Sequence, residues 1–105
     1  MSMEGMPDWY TSLAHEHPGF IQAVEDLGEV VRHAGPLGEK TSHLVQLAAA
    51  SASSSEGAVH SHVRRALEFG ASPEEIRHAV ILLTSTIGFP RVAAALSWVD
   101  DILRK

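Results

Sequence analysis

A chain of 105 residues with a formal net charge of −5, seven histidines and no cysteine suits one domain, residues 1–105, around one core. Lacking cysteine, it is denied disulfides, thiolate nucleophiles and zinc–thiolate centres, and lacking a basic run it is denied nonspecific nucleic-acid binding. No stretch approaches the roughly 18 apolar residues of a membrane span and the first residues lack the basic-then-apolar pattern of a secretion signal, so no membrane partner is expected and the expected location is the cytoplasm.

Alanine and other helix formers dominate, β-branched runs are few, and the fold class expected is all-α, with six helices and no strand. Residues 1–6 are expected to be loose. Asp8 is placed as the cap of a short helix to about His15, with Trp9, Tyr10 and Leu13 as its apolar contacts and His15 and His17 exposed near its end. Pro18 opens a second helix to about Ala34, in which Phe20, Ile21, Val24, Leu27, Val30 and Val31 fall on one stripe and are expected to face the core. Gly35-Pro36-Leu37-Gly38 breaks the chain. The third helix starts near Glu39, carries Leu44, Val45, Leu47 and Ala48, and runs into Ser51–Ser55, where small residues allow close approach to the fourth helix.

The fourth helix lies between Ser53 and Gly70. Ser53 with Glu56 reads as a capping box, and Gly70 stands where the left-handed residue past a helix end belongs. Ser72-Pro73-Glu74-Glu75 restarts the chain with a second capping box, Ser72 with Glu75, and opens a fifth helix, Ile76 to Ile87. Its run Ala79-Val80-Ile81-Leu82-Leu83 is apolar nearly all round, so it demands cover that a chain of this length can hardly supply, and subunit association answers that demand. Gly88-Phe89-Pro90 leads into a last helix, Arg91 to about Leu103, with Ala93–Ala95 for close packing, Trp98, Val99 and Ile102 for bulk, and Asp100 and Asp101 toward water.

Chemistry concentrates in the fourth helix. At 100° per residue, Ser55, Val59, His62 and Ala66 share one stripe and Glu56, His60 and Leu67 another, so His60 and His62 point about 200° apart and cannot serve one site on one face. Glu56 and His60, four apart with the carboxylate first, form either an acid–base dyad or a pair that only supports the helix. His62 is either an acid–base group or a hydrogen-bonded core histidine. Arg64 and Arg65 are either solvated or interface residues, or one of them grips a substrate carboxylate.

Leu37-Gly38-Glu39-Lys40-Thr41, then His62-Val63-Arg64-Arg65-Ala66-Leu67 ending in Gly70-Ala71-Ser72-Pro73-Glu74-Glu75-Ile76, then Gly88-Phe89-Pro90 with Ala93-Ala94-Ala95 and Trp98 together resemble the carboxymuconolactone decarboxylase family, which shares its fold with the AhpD-like alkylhydroperoxidases. The resemblance implies an AhpD-like helical domain assembled as a homotrimer or homohexamer. The peroxidase branch places two cysteines at what are Ser55 and Ala58 here, and a glutamate at what is His43, so its dithiol relay has no counterpart. The decarboxylase branch needs neither thiol nor cofactor. The resemblance therefore implies a cofactor-independent lyase or isomerase acting on a small anionic metabolite: His62 and His60 as acid–base candidates, Glu56 tuning His60, His43 through its matching position, and Arg64 or Arg65 binding the anion. Two alternatives stand beside it. One is a non-catalytic oligomer descended from a thiol peroxidase. The other is an enzyme dependent on a divalent transition metal, held by Glu56, His60 and His43.

Overall fold

The structure, a computed structural model, describes residues 6–104, and no strand occurs among them. Among the described residues seven helical segments are formed: α1 Asp8–Glu16, α2 Pro18–Arg32, α3 Glu39–Ala52, α4 Glu56–Glu68, α5 Pro73–Ile81, α6 Thr84–Ile87 and α7 Phe89–Leu103. None is long and apolar enough to cross a membrane. The chain divides into two compact units, one ending at Pro36 and one beginning at Leu37.

In the first unit α1 is opened by Pro7, and Asp8 falls in its first turn instead of capping it. The Tyr10 hydroxyl donates to Glu25 Oε1 at 2.6 Å, joining α1 to α2. The α2 stripe departs from expectation. Ile21 is buried, but Phe20, Val24, Leu27, Val30 and Val31 are between 48% and 66% exposed. Periodicity shows that a helix owns an apolar face and is silent on what covers it.

In the second unit α3 and α4 form a tight hairpin through Ser53-Ser54-Ser55, with Ser54 at φ 54°. Ser51 is fully buried and its hydroxyl donates to the Leu47 carbonyl. The capping box expected at Ser53 and Glu56 does not form. The Ser53 hydroxyl donates back to the Ala49 and Ala50 carbonyls and closes α3, leaving extended Ser55 to open α4 without a side-chain cap. A serine near a helix end can turn to either helix, and here the preceding carbonyls are nearer.

Gly70 has φ 93°, and the Ala71 N–H returns to the Ala66 carbonyl at 2.9 Å, ending α4 as its position suggested. The second capping box is complete: Glu75 N–H donates to Ser72 Oγ and Ser72 N–H to Glu75 Oε1. The fifth helix is not continuous to Ile87. It stops at Ile81, where the Thr84 hydroxyl takes the Ile81 carbonyl at 2.8 Å, and one further turn, α6, follows. Ile81 and Leu82 are exposed, so the apolar girdle seen in the sequence is not fully covered within the chain. α7 packs on α3, α4 and α5, around a core of Leu47, Val59, Val63, Ile76, Val80, Val92, Ala95 and Val99.

Asp100 and Asp101 do not simply face water. Asp100 meets Arg77 at 3.3 Å and Arg104 at 2.9 Å, and Asp101 is bonded to His60. Partial desolvation pushes the Asp100 carboxyl up, but the bonds from Arg104 and Arg77 outweigh it and hold it below its ordinary value. Glu75 is held low by the Ser72 backbone N–H and then by Lys40, 3.1 Å away. A carboxylate with a depressed folded pKa stabilises the fold above its unfolded pKa, and that contribution vanishes as pH falls through the folded value. Tm is therefore expected to drop more steeply below about pH 4 in the natural chain than in an E75Q/D100N variant, as followed by circular dichroism across pH.

Candidate functional site

The two histidines of α4 take opposite faces, as their spacing requires. On the α3 side, His43 is fully buried and its Nδ1 lies 3.4 Å from His62 Nδ1. One ring donates an N–H and the other accepts it, so the pair holds opposite roles at the shared nitrogens. Phe69, seven residues beyond His62, stacks on His43 with centroids 5.4 Å apart and planes 13° from parallel. Glu39 Oε2 stands 3.6 Å from His43 Nε2, one helical turn back on α3. The result is a line from carboxylate to buried imidazole to half-buried imidazole. A carboxylate near one ring nitrogen can orient an imidazole, and the second ring offers a path for the proton toward the surface.

On the α7 side, His60 Nε2 lies 2.9 Å from Asp101 Oδ2. Glu56, one turn before His60, joins them, and one ligand atom from each of the three lies within 4.8 Å of the others. The four histidine and glutamate candidates thus resolve into two clusters. Glu56, His60 and His43 do not gather, because His43 sits on the His62 face; among the described residues Asp101 is the third member instead.

Arg65 falls three residues after His62 and Arg64 four after His60, so they follow the same division. Arg64 is half-buried, and burial, followed by the neighbouring charge of Arg65, lowers its pKa while Glu68 opposes the change. A separate groove of about 400 Å³ runs between α3 and α5, lined mainly by Leu44, Val45, Ala48, Ala79, Leu82 and Leu83. None of the candidate residues lines it.

Glu39, Phe69 and Asp101 were not singled out in the sequence. Glu39 was within reach, since it precedes His43 by four residues in one helix. Phe69 repeats the His62 stripe after two turns. Asp101 is 41 residues from its partner and carried no local signal.

A model of the carboxymuconolactone decarboxylase family matches residues 18–101 of the chain. No curated protein and no solved structure matches it.

Proposed function

The chain belongs to the carboxymuconolactone decarboxylase family, and on that premise we propose a cofactor-independent lyase or isomerase that moves a proton on a small anionic substrate. The observation that carries this reading is the facing of His43 and His62 at 3.4 Å with Glu39 behind. In a decarboxylation, the bond to the departing carboxylate breaks and its electron pair passes into an enolate-like anion. His62, the half-buried member, delivers a proton to the carbon and is reprotonated from water or through His43. Glu39 and stacked Phe69 keep the His43 ring in place. Arg65, on the His62 stripe, suits the substrate's remaining negative charge. His60 and Glu56, bound up with Asp101, take no part in this step.

The test uses untagged, metal-stripped protein with lactone carboxylic acids in deuterium oxide, read by NMR for loss of the carboxyl group and deuterium at the protonated carbon. Turnover with deuterium incorporation supports the reading. No turnover of any such acid, with no thermal shift on adding them, removes it.

A second reading, a non-catalytic homo-oligomer, is favoured by the uncovered apolar side chains of α2 and of the α5–α6 bend. Either reading includes assembly with further copies of the chain, because those faces require cover, and the family resemblance makes a trimer or hexamer the expected form.

A further inference from the structure

The cluster on the opposite face of α4 is independent of the reading above. We propose that Glu56, His60 and Asp101 form a site for one divalent transition-metal ion of the zinc type, tying the first turn of α4 to the last turn of α7.

Three features carry this. The first is the donor set. One imidazole with two carboxylates matches the nitrogen and oxygen ligands of zinc, and three protein ligands leave a position for water. The second is spacing. Glu56 and His60 are one turn apart on one face, Asp101 meets them from α7, and the donor atoms lie within 4.8 Å of one another. Bonds of about 2.1 Å in a tetrahedron set donors roughly 3.4 Å apart. The His60–Asp101 pair, now at 2.9 Å, must widen by only a few tenths of an ångström. Glu56 is exposed and the Asp101 side chain is 53% exposed, so both can turn to an ion and water can reach it.

The third feature is charge. Asp100, next along α7, is taken up by Arg77 and Arg104, whereas Asp101 is bonded to an imidazole, which ligates as the neutral ring. Two carboxylates then face the dication. Arg64, one turn beyond His60, opposes it, and Glu68 partly offsets Arg64. An ion here would join α4 to α7 one residue from the Arg77–Asp100 pair, which joins α5 to α7.

Chelator-stripped, untagged protein titrated with zinc chloride in a calorimeter should bind one ion per chain and gain thermal stability in proportion to its occupancy. H60A, D101N and E56Q should each weaken binding by more than about tenfold, since even outer-shell changes at metal sites cost that much. H78A, at an exposed histidine elsewhere, should leave it unchanged. Binding should fall as acid protonates the imidazole. Circular dichroism confirms that each variant is folded, and three separate variants keep the outcome readable if one is not. No zinc uptake by the natural chain, or equal uptake by it and the three variants, overturns the proposal.

Discussion

With His62 replaced by glutamine, turnover of a lactone acid falls by about 10²–10⁴-fold, the range that a positioned acid–base group contributes. Glutamine keeps a polar side chain beside His43 and can still hydrogen-bond to its Nδ1, so the hairpin stays folded. What is lost is exchange of a proton. The loss therefore sits in kcat, with KM little changed. H60Q serves as the contrast. His60 is on the other face, 2.9 Å from Asp101, and its replacement leaves kcat within a factor of two or so. Steady-state kinetics on the two variants decides between the faces: a collapse in H60Q with H62Q intact would sink the assignment.

Leu47→Ala destabilises the chain by about 2–5 kcal/mol. Leu47 is fully buried one turn beyond His43 on α3, in the core shared with Val59 and Val63 of α4. Removing its branched end loses the transfer energy of the missing carbons and leaves a void, which helices joined by a three-residue turn cannot easily close. Against a total stability of about 5–15 kcal/mol this is a large share. Val45→Ala, on the same helix at 54% exposure, changes stability by no more than about 0.5 kcal/mol in the isolated chain. Urea unfolding of both variants checks the pair. Similar midpoints would mean that the hairpin is not the core of the second unit.

Local signals read well where one residue type has one use. Gly70 adopts φ 93°, a region that disfavours any side chain, and Ser72 with Glu75 closes its box inside four residues. They failed where a residue had two possible partners. Ser53 could cap the helix after it or bond the helix before it, and it did the latter. Thr84 likewise took the Ile81 carbonyl and split a helix that looked continuous. The α2 stripe was legible as a stripe, yet apart from Ile21 its side chains remain between 48% and 66% exposed.

The division of His60 from His62 follows from the sequence alone, because helical geometry turns a separation of two residues into opposite directions whatever surrounds the helix. All-helical architecture follows likewise from composition and punctuation, and the family was legible as a resemblance in the motifs, which the family match over residues 18–101 bears out. Tertiary structure alone decided what each histidine meets. His43 reaches His62 across a hairpin and Asp101 reaches His60 from 41 residues away, and contacts between separate helices depend on how their axes pack, which no spacing within one helix contains.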